Sequence, residues 1–395
     1  MITRIAEKIL RDQLASAKVT VILGARQVGK TTLTKQVTTG RNTQFLNFDI
    51  TTDLQRFVLA SRMAPAQALA YLQSPDILVL DEVQRWPEAT RVIKGWYDQQ
   101  LPVKCILLGS SALQLREQTA EALTGRNYQF ILPPLLWAET LQTQAWYSAE
   151  LAPALLRDHA APALRDYLLA RMALGSYPEV VTTPKPTELL RQLAQDYLWK
   201  DVLYEGGIKS PGLIQRLLQM LALQIGSEVS ISELATALGA GRNTIQRYLD
   251  LLEMVWVIFR LPAYSTNPRK EITAKQKIFF WDVGIRNALI NRIDITAERD
   301  DIGHLWENWA LAEIAKLNLL TGQTCELFFW RTYDQAEVNL VVRRAGQLHA
   351  FEMRWNPRRK ARTSFTSHYQ VPVQILSPAD PFLTAATNLF NGSGS

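Results

Sequence analysis

A glycine, a second glycine five positions on, and then a lysine and a threonine make a constellation that can grip phosphate. Residues Gly24-Ala25-Arg26-Gln27-Val28-Gly29-Lys30-Thr31 have this G-x-x-x-x-G-K-[ST] spacing. The glycines let backbone N–H groups turn inward around the phosphates, and Lys30 reaches the β- and γ-phosphates. Thr31 offers a hydroxyl to Mg²⁺, and the N-terminus of the helix entered through Thr32 adds its dipole. ATP and Mg²⁺ are therefore the expected cofactors. A second set of reactive groups is Asp81-Glu82, which closes the apolar run Ile77–Leu80. Asp81 is expected to hold Mg²⁺ directly or through water, and Glu82 to orient and deprotonate the attacking water. Ser110 either touches the γ-phosphate or caps a helix over Ala112–Gln118. Arg126 either stabilises charge on the transferring phosphoryl group, from its own subunit or a neighbour, or caps a helix end.

These groups need a parallel sheet to bring them together. Val19–Leu23 is an apolar, β-branched run that reads as a buried strand, and Thr32–Val37 opens a helix behind the loop. Thr43–Asp49, Ile77–Leu80, Val103–Leu108 and Tyr128–Leu132 read as further strands. Between them lie one helical stretch over Asp53–Leu72 and another over Glu88–Gln99. The fully apolar Ile77–Leu80 suits a central parallel strand, and acids at its end fall beside the γ-phosphate. The expected class is α/β, with this domain over residues 1–135.

The segments Arg26–Thr32, Asp81-Glu82-Val83-Gln84, Gly109-Ser110-Ser111 and Gly125-Arg126, continued by Pro133–Leu136 and Glu139, carry a family resemblance. They resemble the AAA-type ATPases bearing the C-terminal domain of unknown function 4143. The resemblance spans nearly the whole chain. It implies an ATPase core with the acidic pair and additional strand of the RecA/AAA division.

Residues 136–226 read as a helical lid and connector. Within it an alanine-rich stretch over Tyr147–Pro162 is broken by Pro153 and Pro162, Gly175–Glu179 is a turn, and Leu189–Val202 and Leu213–Ile225 are helices. Residues 227–290 match a winged helix-turn-helix: a helix from Ser230, a tight turn at Gly239–Gly241, a second helix from Arg242, and a β-wing over Val255–Leu261. Ile245, Leu249 and Leu252 would face the core, leaving Arg242, Asn243, Gln246 and Arg247 outside to meet DNA, or simply to lie against another protein surface. Lys277–Arg286 reads as a strand and a turn.

Residues 291–390 begin with a long helix over His304–Leu320, with Trp306, Trp309 and Ile314 on one side, followed by strands Phe328–Arg331, Glu337–Val342 and His349–Trp355. That order is the plan of restriction-endonuclease-like folds, whose acids hold Mg²⁺ and whose lysine positions water. The resemblance puts Glu307, Asn339, Glu352 and Arg354 on that plan. Asparagine stands for the expected aspartate and arginine for the expected lysine, so the site is read as spent. Arg343, Arg344, Arg354, Arg358, Arg359, Lys360 and Arg362, with Trp355 between, still form a basic stretch suited to nucleic-acid backbone, or a solvated charge run. Residues 391–395 are linker-like.

Composition sets the bounds. With 47% hydrophobic and 20% charged residues in 395, the chain is globular and long enough for several domains. A net charge of +6 is compatible with nucleic acid. Cys105 and Cys325, the only cysteines, are expected as reduced thiols in a cytoplasmic protein. No run approaches the roughly 18 apolar residues of a membrane span, so no membrane partner is expected. The expectation is a Mg-ATP-dependent ATPase coupled to DNA binding or remodelling, assembled as a homo-oligomer. Its rivals are a nucleotide-dependent switch acting on a protein partner and a defence-type nuclease with a residual active site.

Overall fold

The computed structural model describes residues 2–110, 123–148, 153–197, 210–266, 276–322, 324–332, 336–357 and 364–379. The chain divides into two compact units, Thr3–Pro133 and Pro134–Ser395.

The first unit is built on a five-stranded sheet. Its elements are α1 (Ala6–Leu14), β1 (Val19–Leu23), α2 (Lys30–Val37), β2 (Thr43–Asn47), α3 (Thr51–Ser61), α4 (Pro65–Tyr71), β3 (Ile77–Asp81), α5 (Ala89–Asp98), β4 (Lys104–Gly109) and β5 (Asn127–Ile131). The strand order is β2-β3-β4-β1-β5, and every pairing is parallel. Parallel strands covered on both faces read as continuous apolar runs, and β1 and β3 are buried at all their positions. Helix α5 buries Ile93 and Trp96 on one stripe. The register sets Leu23 beside Gly109 and Leu80 beside Leu107, so β1, β4 and β3 end along one edge.

The single helix expected over Asp53–Leu72 is two. Ala64, with ψ 142°, is extended, and Pro65 begins a new helix. The ring of a proline disfavours the helical conformation in the residue before it, which accounts for the break. The helix expected over Ala112–Gln118 lies outside the described residues.

The second unit opens with helices α6 (Trp137–Leu141), α7 (Pro153–Leu174), α8 (Pro178–Thr182), α9 (Pro186–Tyr197) and α10 (Pro211–Leu223). Pro162, read from sequence as a breaker, lies inside α7; it is exposed, where the carbonyl it leaves unbonded can turn to water. After the short strand β6 (Glu228–Val229) come α11 (Ile231–Leu238) and α12 (Arg242–Met254). Ser230 caps α11 by accepting a hydrogen bond from the Glu233 amide at 3.3 Å, and Gly239 (φ 62°) ends it. Strands β7 (Ile258–Pro262) and β8 (Gln276–Phe280) complete an antiparallel sheet in the order β6-β8-β7. Beyond β8 the sequence reading of a turn gives way to a helix, α13 (Val283–Leu289). Its cap is Asp282, whose carboxylate accepts from the amides of Gly284 (2.9 Å) and Ile285 (3.2 Å), and from that of Ser176 (2.7 Å).

Helix α14 (Ile302–Leu320) is buried on almost every face, not on one side only. A second sheet follows, β9 (Glu326–Arg331), β10 (Glu337–Arg344), β11 (Gln347–Met353) and β12 (Val373–Leu376), with α15 (Ser364–Tyr369) before the last strand. Its order is β12-β11-β10-β9, antiparallel except for β11 against β12. Phe328, Trp330, Val338, Val341 and Phe365 form its core. Among the described residues no helix is long and apolar enough to cross a membrane.

Candidate functional site

The loop between β1 and α2 is shaped by two glycines. Gly24 has φ 147°, and a Cβ on it would lie 2.2 Å from the Leu132 carbonyl oxygen, so no side chain fits. Gly29 has φ 94°, a left-handed conformation that suits a residue without a Cβ. Lys30 is 5% exposed, and its ammonium donates to the carbonyls of Gly24 (2.9 Å) and Ala25 (2.8 Å), closing the loop on itself. Ala25 and Val28 are buried, while Gln27 has φ 60°. From the N-terminal segment comes Arg4, which is 6% exposed. Its Nη1 donates to the Val28 carbonyl at 2.7 Å and its Nη2 to the Pro133 carbonyl at 2.8 Å.

The parallel register brings the acids to this loop. Thr31 Oγ1 donates to Asp81 Oδ2 at 2.5 Å, and Asp81 Oδ1 accepts from the Glu82 amide at 3.0 Å. Burial pushes the Asp81 carboxyl above its ordinary value and neighbouring Glu82 adds to this, against the pull of the Thr31 hydroxyl and the Lys30 ammonium. Glu82 sits at φ 53°, at the start of the 3-10 turn Val83–Arg85. Its Oε2 accepts from the Ser110 hydroxyl (3.0 Å) and from Gln84 Nε2, which also donates to Ser110 Oγ at 2.9 Å. Lys30, Thr31, Asp81, Glu82 and Ser110 thus form one cluster at the ends of β1, β3 and β4. A carboxylate and a hydroxyl held against each other are oxygen donors of the kind Mg²⁺ takes, the remaining positions going to water and phosphate.

Arg126 is not in this cluster. Its carbonyl accepts from the Val19 amide at 2.9 Å, at the start of β1 rather than its end. Five residues of strand, at about 3.3 Å each, separate that edge from Gly24. Its guanidinium pairs with Asp98 at 2.6 Å. The sequence reading of Arg126 as a residue acting on phosphate within its own subunit is therefore corrected.

In the second unit Arg242, Asn243 and Arg247 are exposed on α12, opposite buried Ile245, Leu249 and Leu252. Gln246 is half-buried and donates to Asp250 at 2.8 Å. Arg358, Arg359 and Lys360 lie outside the described residues. Arg343 pairs with Glu326 at 2.6 Å and Arg354 with Glu352 at 2.6 Å. Around Glu307 the structure holds a group that sequence reasoning missed. Lys277, 2% exposed, brings its ammonium 3.4 Å from Glu307 and into hydrogen-bond contact with Glu337. Asn339 also hydrogen-bonds Glu307. Burial raises the Glu307 carboxyl, opposed by Lys277 and Asn339. Among the described residues no group of three or more His, Cys, Asp or Glu side chains is arranged to hold a metal ion. The one sign of Lys277 in the sequence is a charge at the head of the apolar run Ile278–Trp281. Gln84 had a sign, its place beside Asp81-Glu82, whereas Arg4 had none.

Comparison with known proteins finds three family matches along the chain. Residues 16–141 match the AAA domain family, residues 165–296 a domain of unknown function (DUF8612), and residues 302–380 the domain of unknown function 4143. An uncharacterized protein of Mycobacterium tuberculosis is 29% identical over 355 residues, covering 87% of this chain and 72% of that one. An uncharacterized protein of Haemophilus influenzae is 23% identical over 357 residues, covering 83% of this chain and 80% of its own. Among solved structures a Walker-type ATPase of Pyrococcus abyssi superposes with a TM-score of 0.50 at 15% identity, over 73% of this chain and 96% of that one, a likeness of fold. The chain thus carries an AAA domain followed, at its C-terminal side, by the domain of unknown function 4143.

Proposed function

We propose that the first unit hydrolyses Mg-ATP and that the second unit couples this to DNA. The carrying observation is the hydrogen bond between Thr31 and Asp81 beside the buried Lys30. It joins the loop to the acidic strand end with no intervening side chain. Gly24–Thr32 cradle the phosphates, with Lys30 as their cation. Thr31 and Asp81 hold Mg²⁺, which neutralises charge on the phosphates. Glu82 takes the proton of the attacking water, and Ser110 steadies the carboxylate by its hydrogen bond. Substituting Lys30 by alanine should weaken ATP binding. Glu82→Gln should still bind ATP but hardly turn it over, and normal turnover in that variant would remove Glu82 as the base. Arg126 is kept only as a residue acting on a neighbouring subunit of a homo-oligomer. Rescue of activity on mixing inactive Arg126→Ala and Glu82→Gln chains tests it.

For DNA we read α11, its turn, α12 and the antiparallel sheet as a winged helix. Exposed Arg242, Asn243 and Arg247, with Gln246 at their side, meet base edges and phosphates. The C-terminal module is read as nuclease-like with a spent site, supported by Lys277 lying among Glu307 and Glu337 where a nuclease would need open carboxylates. A salt series tests the coupling: the logarithm of the DNA binding constant should fall linearly with that of salt concentration. One observation favours a switch that acts on a protein instead. Asp250 and Glu253 engage Arg260, so part of the polar face of α12 is acidic and already paired. An ATPase rate indifferent to duplex, single-stranded and four-way DNA would select that reading.

A further inference from the structure

Arg4 stands outside every motif, yet its side chain is more deeply buried than most arginines ever are. Burying a guanidinium is costly unless its donors are used. Two of them go to backbone oxygens, Val28 in the loop and Pro133 at the end of the first unit. The Val28 carbonyl belongs to the same planar peptide as the Gly29 N–H. In a trans peptide these two groups point in opposite directions. Fixing the carbonyl toward Arg4 therefore turns the Gly29 N–H away from it. Gly29 is the left-handed residue that immediately precedes α2, whose first N–H groups have no intrahelical partner.

We propose that Arg4 is a positioning residue for the phosphate site, clamping the Val28–Gly29 peptide so that the Gly29 amide donates to a bound phosphate. This rests on the reading of Gly24–Thr31 as a nucleotide loop and adds to it a residue from the N-terminal segment. Lys30 restrains the carbonyls of Gly24 and Ala25 at the start of the loop, and Arg4 restrains the carbonyl before its end. Without Arg4 the peptide is free to flip, and the Gly29 amide is lost to the ligand in a fraction of molecules.

The test uses the full chain with valine carrying ¹³C at its carbonyl and glycine carrying ¹⁵N. The sequence contains two Val–Gly pairs, Val28-Gly29 and Val283-Gly284, so two amide signals remain. Mg-ADP should move the Gly29 proton downfield, as donation to an anion does, and leave Gly284 in place. Arg4→Ala should lose most of that shift and weaken ADP binding by about tenfold or more, the loss of one charge-assisted hydrogen bond. Arg4→Lys, which keeps the charge but not the planar fork whose two nitrogens reach the two carbonyls separately, should fall between and keeps the test open if the alanine variant does not fold. Wild-type Gly29 shift and wild-type affinity in either folded variant would overturn the proposal. So would weaker binding with the Gly29 shift intact, which marks a purely structural arginine. A wild-type chain that binds no ADP would instead remove the nucleotide reading itself.

Discussion

Replacing Lys277 by methionine tests the interior of the second unit. The methionine keeps most of the side-chain volume and removes the ammonium that lies 3.4 Å from Glu307 and against Glu337. Glu307 is buried and Lys277 is its principal attraction, so the substitution strands one carboxylate beside another. Breaking a buried pair from one side costs about 3–5 kcal/mol. For a unit of this size that is roughly 6–20 °C in melting temperature. The sign with pH follows from the carboxylate. Glu307 has its folded pKa raised above the unfolded value, so the stability of the protonated form is present at low pH and lost as pH rises through the folded pKa. The penalty of Lys277→Met should therefore be smallest in acid and grow toward neutrality. Denaturation followed by tryptophan emission is the assay, since Trp306 stacks on Trp309 (5.5 Å) next to Glu307 along α14. Adding Glu307→Gln should restore much of the loss, because a neutral amide needs no counter-ion. A penalty below about 1 kcal/mol, or a double variant whose losses simply add, would refute the argument.

Other outcomes follow from the first unit. Gly24→Ala should abolish the loop's ATP affinity, because the new methyl lies 2.2 Å from a backbone oxygen that cannot move without β5; retained affinity by calorimetry would count against this geometry. Since burial raises the Asp81 carboxyl when no metal is bound, protons should compete with Mg²⁺ there, so the affinity for Mg-ADP should fall with acidification in a range above that of an ordinary carboxylate; a pH-independent affinity by calorimetry would contradict this. Arg126→Ala should leave ATP binding by the isolated chain unchanged, because the residue lies at the opposite edge of the sheet; a weakened dissociation constant at dilution would contradict that placement.

The strand and loop around Lys30 were readable because a buried parallel strand, a glycine turn and a helix start each leave a local mark. Asp81 was readable for the same reason, as an acid that ends an apolar run. What could not be read depends on distant partners. Arg4 acts 24 residues from Val28 and 129 from Pro133, and no spacing rule connects them. Lys277 looked like the polar first residue of a strand until its two glutamates, 30 and 60 residues away, were seen beside it. Two errors had legible causes: Pro65 signalled a helix break that the apolar periodicity on both sides obscured, and Pro162 signalled a break that the long helix α7 does not make. Asp282, followed by Gly284 and Ile285, had the chemistry of a helix cap but was read as a turn, since the helix it starts is only seven residues long.

The contact of Gly24 with Leu132 leaves the loop without mechanical backlash. Leu132 donates its amide to Leu23 at 2.7 Å, its carbonyl fills the place of a side chain on Gly24, and the next residue is held by Arg4. A shift of the loop at Gly24 would therefore press on Leu132, and through it on Pro133. Those are the last links of the first unit, from which the polypeptide continues. A displacement at Gly24 would thus reach the end of the first unit through the Gly24–Leu132 contact and the hydrogen bonds of Leu132 and Pro133.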